Sequence, residues 1–303
     1  MTSTVSVEYP EVALGLQRDN GAVEVGFEQH GGRTVPMHVS QRSPLRVAFP
    51  KQDRGSPTLA MLSSTSGGVC SGDVLRTSVE AGRDTVATVT TQAAEKIYGS
   101  AGAPCRLSVD LRVEEGATLE WLPHETIVFD EARLERRTDI EVAPGGSLLA
   151  LDILVLGHLC RGEPFVTGAL LDVWRVRRGG RLAWADALRL EGDIAPQIAS
   201  AAGLGGATSA GLLLLAADDA AAWLEPVRAQ MAEMAEKAEK AEKVERSDGW
   251  CRAGATLVGG VLVARVLGSD VTRVHRTVAA LAAWMRAARS GHLRRMPRCW
   301  SLL

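Results

Sequence analysis

The chain has 303 residues, of which 46% are hydrophobic, and its 34 basic and 36 acidic residues give a formal net charge of −2. This balance argues against nucleic acid or an anionic membrane surface as a partner. The apolar runs are too short to cross a bilayer, and no basic start followed by an apolar run indicates a signal peptide. We therefore expect a soluble cytoplasmic protein with one or two domains.

The cysteines are scattered and odd in number: Cys70, Cys105, Cys160, Cys251 and Cys299. No pair has the close spacing of a zinc knuckle, and a cytosol would keep the thiols reduced. Each cysteine is interpreted as a small buried hydrophobic side chain.

From about residue 20 to 200, short β-type runs alternate with turn signals such as "SGD" (71–73), "APGG" (143–146) and "RRGG" (177–180). This spacing predicts a mainly β protein, an extended multi-stranded scaffold of sandwich, barrel or solenoid type, rather than βαβ units. Two runs, 107–113 and 134–142, alternate with a period of two. In the second run the core face is predicted to carry Leu134, Arg136, Thr138, Ile140 and Val142.

The last third of the chain has a helical character. We assign residues 208–247 to a helix that carries the low-complexity segment "AEMAEKAEKAEKVERS" (232–247), with Pro226 near the helix start. Its Glu–Lys pairs are spaced four residues apart in the favourable order, at 233–237, 236–240 and 239–243. After a strand-like run over 254–267, a second helix is predicted over 269–290, with Gly291 as C-cap and a tail over 291–303. We expect the whole chain, 1–303, to form one domain.

The standard catalytic templates do not fit. "PHETIVFDE" begins as an HExxH motif at His124, but Val128 stands where the second metal ligand is required. "SGGVCSGD" (66–73) lacks the ending of a phosphate-binding loop, and neither a GxSxG nor a suitably placed GxGxxG motif is present. One enzymatic hypothesis stays open: a metal-dependent hydrolase that uses His124, Glu125 and Asp130 with a ligand from elsewhere.

Polar residues near predicted strand ends form the remaining candidate set: Asp73, Thr90, Thr91, Glu95, Lys96, Tyr98, Glu125, Asp130 and Asp152. Carboxylates inside a β body suit transient contact with a cation, because oxygen ligands hold a borderline metal ion weakly. The competing interpretation is turn chemistry and salt bridges in a purely structural β scaffold.

Four blocks of the sequence carry a family resemblance: "SGGVCSGDVLRTSVEAG" (66–82), "TTQAAEKIYGS" (90–100), "LEWLPHETIVFDEARLERRTDIEV" (119–142) and "FVTGALLDVWRVRRGGRLAWADALRLEG" (165–192). Their order and spacing resemble those of the urease accessory protein UreD family, called UreH in some organisms. The segment "MPRCW" (296–300) is similar to the Trp-bearing closing tail of that family.

The resemblance implies a non-catalytic β scaffold with two helices that assists assembly of the nickel site of urease. Family members bind apo-urease and a helical partner, UreF, which recruits the GTPase UreG. Ni²⁺ is thought to pass in transit through a polar passage in the accessory proteins, so no tightly bound cofactor is expected.

Carried over position by position, the candidates for transient Ni²⁺ contact in the passage are Asp73, Thr90, Thr91, Glu95, Glu125 and Asp130. Many relatives have Ser or Thr where this chain has Glu95, and commonly an Arg where it has Gly99. The partner surface is expected to be apolar with a polar rim. We predict it at the two helices and the tail, with Arg298 and Trp300 as contacts.

Overall fold

The computed structural model describes residues 18–51, 55–99, 102–242, 249–291 and 295–302. Within these residues lie eighteen strands: β1 (Asn20–His30), β2 (Arg33–Arg42), β3 (Leu45–Ala48), β4 (Thr58–Ser64), β5 (Val74–Ala81), β6 (Val86–Thr91), β7 (Glu95–Ile97), β8 (Cys105–Val113), β9 (Thr118–Leu122), β10 (Thr126–Val128), β11 (Arg133–Val142), β12 (Ser147–His158), β13 (Glu163–Pro164), β14 (Thr167–Arg178), β15 (Arg181–Asp193), β16 (Ser209–Ala216), β17 (Cys251–Val258) and β18 (Val261–Gly268). The same residues contain three α-helices: α1 (Ala195–Ala199), α2 (Leu224–Glu242) and α3 (Val271–Ser290).

The strands form two sheets that share one core. The first sheet has the order β15-β14-β11-β8-β5-β1-β2, and the second runs β17-β18-β16-β12-β9-β6-β4-β3. Short strands extend the second sheet, since β10 and β13 pair with β12, and β7 pairs with β10. From β4 to β14 the long strands alternate between the sheets and pair in parallel within each. The chain therefore coils, which confirms the predicted mainly β scaffold and favours the solenoid-like form among the alternatives.

Side-chain alternation along the strands positions the core. In β11 the face with Leu134, Arg136 and Ile140 is buried, while most residues between them are exposed or half-buried. This agrees with the period of two in the sequence. Inward-facing residues of both sheets meet in one cluster, which includes Val79, Leu111, Ala87, Leu119 and Ala150.

Residues 209–216 form strand β16, so the predicted helix from residue 208 is wrong in this segment. β16 lies between β12 and β18 and is covered on both faces. Leu214 packs in the core between the sheets, whereas Leu213 and Leu215 pack in a second cluster with the helices. A doubly covered strand is apolar without alternation, so its sequence resembles a buried helix. The β structure thus continues past residue 200, as far as Gly268.

The strand-like run over 254–267 is a hairpin of two antiparallel strands, β17 and β18. The strands turn at Gly259 and Gly260, whose φ angles are 56° and 77°. Two consecutive positive φ angles are what a type I′ hairpin turn requires, and glycine adopts them without strain.

Helices α2 and α3 pack on the outer face of the second sheet, where Val227, Val278 and Leu281 join the second cluster. The Asp270 side chain caps α3 by accepting a hydrogen bond of 3.1 Å from the Arg273 N–H, and Gly291 ends the helix with a φ of 63°. These ends agree with the second predicted helix. Pro226 lies in the first turn of α2, and Lys237 pairs with Glu233.

Parts of the predicted helix and tail lie outside the described residues. For the low-complexity segment these are residues 243–247, which include Lys243 of the expected 239–243 pair. In the tail they are residues 292–294 and 303.

Candidate functional site: a cavity between the sheets

A cavity of about 530 Å³ lies between the two sheets and is called the intersheet cavity below. Leu75 and Leu107 of the first sheet and Trp121 of the second contribute apolar walls. Gln92 and Lys96 also line the cavity and are exposed, so they mark its mouth. About half of the lining residues carry polar side chains, so the cavity combines apolar walls with many hydrogen-bonding groups, as a binding or transit site does.

Three of the six predicted passage residues line the intersheet cavity: Thr91, Glu95 and Glu125. They lie on β6, on β7 and on the segment before β10. The Glu95 N–H donates a 2.9 Å hydrogen bond to the Glu125 carbonyl oxygen, which fixes the two segments side by side. The Thr91 hydroxyl oxygen accepts a 2.8 Å hydrogen bond from the His124 N–H.

Glu95 is half-buried at the wall of the intersheet cavity. Burial raises its pKa to about 7, opposed by a hydrogen bond from the backbone of Lys96. Removing a carboxylate from water disfavours its charged form. Glu95 is therefore a carboxyl group that exchanges between the neutral and charged forms near neutral pH.

Asp73 and Asp130 do not line the cavity, and both hold loops together. Asp73 accepts hydrogen bonds from the N–H groups of Asp19, at 2.9 Å, and of Cys70, at 2.7 Å. Asp130 Oδ1 accepts from the Val166 and Thr167 N–H groups, each at 2.8 Å. Burial alone would raise the pKa of Asp130, but these hydrogen bonds outweigh it and the pKa is lowered. At these two positions the structure favours turn chemistry.

Thr90 is fully buried beside the cavity and binds the tail. Its hydroxyl donates to the Leu122 carbonyl oxygen at 2.6 Å and accepts from the Trp300 indole N–H at 3.1 Å. Trp300 is 6% exposed and stacks on His124 and His275, with ring centroids 4.7 and 5.2 Å apart. An enclosed indole offers no surface to a partner, which corrects the expected contact at Trp300. Arg298 in the same turn is exposed.

An ion network joins the sheets at the cavity wall. Arg136 on β11 contacts both carboxylate oxygens of Asp152 on β12, at 2.5 and 3.0 Å, and both of Asp172 on β14, at 2.6 and 2.9 Å. It also donates to Thr126 at 3.0 Å. Burial alone would lower the pKa of Arg136, but the two carboxylates raise it. Burial and Asp172 raise the pKa of Asp152, while Arg136 opposes them.

The predicted hydrolase residues are only partly brought together. His124 and Glu125 are neighbours at the cavity, but the Asp130 carboxylate is engaged at the start of β14. Burial lowers the pKa of His124. Glu125 instead lies near His275 of α3, at 3.7 Å between Oε2 and Nε2. Across the described residues, no group of three or more His, Cys, Asp or Glu side chains is placed to hold a metal ion.

Sequence reasoning missed Asp172 and His275 and did not give Arg136 a role at the site. A charged residue on the core face of a clean alternation was the available signal for Arg136. His275 gave no such signal, because its partner Glu125 lies 150 positions away in the chain and on a different element.

In the part of the chain that the structure describes, no helix has the length and apolar character that crossing a membrane requires.

Comparison with known proteins identifies the family of this chain. The family model described as "UreD urease accessory protein" matches residues 19–301. A urease accessory protein UreD of Magnetococcus marinus is 37% identical over 282 residues, covering 93% of this chain and 94% of that protein. A urease accessory protein UreD 1 of Methylobacterium radiotolerans is 39% identical over 293 residues, covering 95% and 94%. The chain belongs to the UreD family of urease accessory proteins.

Proposed function

We propose that this chain is a non-catalytic assembly factor that binds apo-urease and conducts Ni²⁺ toward its active site through the intersheet cavity. A UreF-like helical protein binds it in turn and brings a UreG-like GTPase into the complex. The observation that carries the proposal is the position of Glu95 and Glu125 on the wall of the cavity between the two sheets, which further polar side chains also line. Family membership supplies the role in urease maturation.

The chemistry of the cavity suits an ion in transit. Single carboxylate oxygens bind a borderline ion such as Ni²⁺ more weakly than thiolates or imidazoles do. Glu95, with a pKa of about 7, exchanges a proton for a cation at little electrostatic cost. Weak contact at each step favours passage, because a tight site would retain the ion.

The complex is proposed to form in the cytoplasm. All five cysteines are free thiols in the structure, and reduced thiols suit a reducing compartment. The exposed Arg298 is proposed as a partner contact at the rim of the helical face.

The test is co-expression with apo-urease, the UreF-like protein and the UreG-like GTPase. We expect the chain to co-purify with apo-urease and the UreF-like protein, and Glu95→Gln to leave this complex intact while lowering the nickel content of the urease. Glu135→Gln is the matched control, because Glu135 is an exposed strand residue paired with Arg106. Failure of the chain to bind either protein would contradict the proposal.

A purely structural scaffold is the second candidate, and the loop contacts of Asp73 and Asp130 favour it. It predicts that Glu95→Gln and Glu125→Gln both load urease with nickel at the wild-type level while the complex assembles normally. Reduced loading in an intact complex would eliminate it.

A further inference from the structure

Strand β15 is the terminal strand of the first sheet, and among the described strands it pairs only with β14. A terminal strand directs alternate N–H and C=O groups away from its sheet, where another strand can pair with them. The Gln197 side chain shows which residues these are, because it accepts from the Glu191 N–H at 3.2 Å and donates to the Glu191 carbonyl oxygen at 2.7 Å. By alternation, the backbone groups of Ala185, Ala187 and Arg189 also point away from β14.

The stretch from Ala185 to Arg189 is open on this side and is called the free edge below. Within the residues that the structure describes, the outward-pointing N–H and C=O groups of this stretch accept or donate no hydrogen bond. Its three outward-pointing residues are all exposed. The free edge therefore offers a row of backbone donors and acceptors to a further strand.

The other terminal strands of the two sheets are each blocked. Strand β2 contains Pro36, which has no N–H to donate. On β3 the Val47 N–H donates to the Gln41 side-chain oxygen at 3.0 Å. On β17 the Ala255 carbonyl oxygen accepts from the Arg228 guanidinium at 3.1 and 3.2 Å. Proteins commonly protect exposed edges against pairing, so the one stretch left open is a candidate interaction surface.

The charges at the two ends of β15 fit a second copy in antiparallel orientation. The strand begins with Arg181 and ends with Glu191 and Asp193, and all three side chains are exposed. In an antiparallel pair, the basic end of each strand lies beside the acidic end of the other. A parallel pair would instead bring like charges together.

A two-fold axis beside Ala187 gives a consistent register. Ala187 then faces Ala187 of the second copy, and Ala185 faces Arg189, so no like charges are opposed. Each facing pair exchanges two backbone hydrogen bonds, which gives about six in total. Leu171 and Val173 lie beside these residues on the outer face of β14, and Leu171 is 38% exposed. They extend the contact with apolar surface.

We propose that the free edge pairs with the same edge of a second copy of this chain, so that the two first sheets join in one continuous sheet. A contact made mainly by one pair of strands is smaller than a standard interface, so a weak dimer with a micromolar dissociation constant is expected. The inference goes beyond the proposed function, because it needs neither a metal ion nor another accessory protein.

The test is sedimentation equilibrium of the full-length chain over a concentration series up to about 100 μM. The wild type is expected to dimerise. Ala187→Pro should weaken the dimer about ten-fold or more, because it removes the two central N–H donors and leaves the bonds to β14 intact. Ala253→Pro on β17 is the matched control, since the Ala253 N–H also points away from its neighbouring strand. This variant should dimerise as the wild type does.

A pair of charged variants keeps the test independent of any folding defect caused by proline. Ala187→Lys and Ala187→Glu should each weaken the dimer about two- to five-fold, because like charges then face each other across the axis. An equimolar mixture of the two should dimerise again, since a lysine then faces a glutamate. A mixture that dimerises no better than either variant alone would overturn the pairing about Ala187.

The unmodified chain provides a further measurement. Hydrogen exchange followed by mass spectrometry should show slower exchange over residues 185–189 at high protein concentration than at low concentration. A wild type that stays monomeric over the whole series would overturn the proposal. If, in addition, Ala187→Pro lost the UreF-like protein on co-purification, the second copy would be overturned and the edge assigned to a strand of that partner.

Discussion

Arg136 carries a single positive charge between two buried aspartates, one from each sheet. Asp172 lies on β14 of its own sheet, whereas Asp152 lies on β12 of the other. The desolvation of three charged groups is offset by five short hydrogen bonds, counted over both aspartates and Thr126. Removing the cation alone would leave two buried carboxylates without compensation.

Arg136→Met should therefore destabilise the protein by about 3–5 kcal/mol, measured by urea denaturation followed by circular dichroism. Arg106→Met is the control, since Arg106 forms an exposed pair with Glu135 on a neighbouring strand. Its loss should change the free energy of unfolding by at most about 1 kcal/mol. Equal effects of the two substitutions would show that the network does not stabilise the fold.

The raised pKa of Glu95 predicts that the stability of the fold depends on pH. Its pKa is raised from 4.5 to about 7 on folding, so between these values the folded state binds more protons than the unfolded state. Stability contributed by the neutral carboxyl is thus present at low pH and lost as the pH rises toward 7.

Glu95→Gln should remove this dependence and gain stability over the wild type above neutral pH, on the order of 1 kcal/mol or more. Thermal unfolding of both chains across a pH series measures the difference. Parallel curves for the wild type and the variant would contradict the burial of the Glu95 carboxyl group.

At the scale of elements, α3 is fixed to the second sheet by close packing and by one buried ion pair. Arg286 of α3 donates to Glu120 of β9 at 2.9 Å, and the Thr88 hydroxyl donates to the same carboxylate at 2.5 Å. Gly211 of β16 lets the helix approach, because a Cβ at this position would overlap Val278 Cγ2 of α3. The position of His275 beside Glu125 depends on this docking.

Gly211→Ala should destabilise the chain by about 1–3 kcal/mol, because the added methyl group pushes α3 away from the sheet. Gly254→Ala is the control, since a Cβ at that strand position meets no atom within 4 Å. Val278→Ala should raise the stability of the Gly211→Ala chain but not that of the wild type. Denaturant unfolding of the four chains measures this coupling.

At the scale of the whole molecule, the tail completes the core at one end of the cavity. Trp300 buries its indole against two histidines and donates a hydrogen bond to Thr90. Trp300→Ala should cost about 3–5 kcal/mol. Arg298→Ala, its exposed neighbour, should change stability by at most about 1 kcal/mol and instead weaken co-purification with the partners.

Thermal unfolding and a pull-down of both variants separate these effects. If Trp300→Ala abolished partner binding in the pull-down without changing stability, the indole would have to be a surface contact after all.

The mainly β fold and the second helix follow from local signals in the sequence. Alternation in β11 placed even Arg136 on the buried face, and Asp270 and Gly291 mark the ends of α3. β16 was not predicted, because a strand covered on both faces has no period to detect. The site was found in part, since Thr91, Glu95 and Glu125 are close in sequence to strand ends that meet. The positions of His275 and Trp300 could not be predicted, because only the tertiary fold brings His275 to Glu125 and Trp300 to Thr90.

The Trp300–Thr90 hydrogen bond spans 210 positions of the chain, and this separation orders events during synthesis. Thr90, Leu122 and His124 leave the ribosome long before Trp300 is made. The coils of the two sheets pair strands that are much closer in sequence, such as β5 with β8 and β11 with β14, whereas this end of the cavity forms only after the last residues are made. In the nascent chain His124 is thus reachable by solvent and metal ions, and the last turn seals it only when translation has passed residue 300.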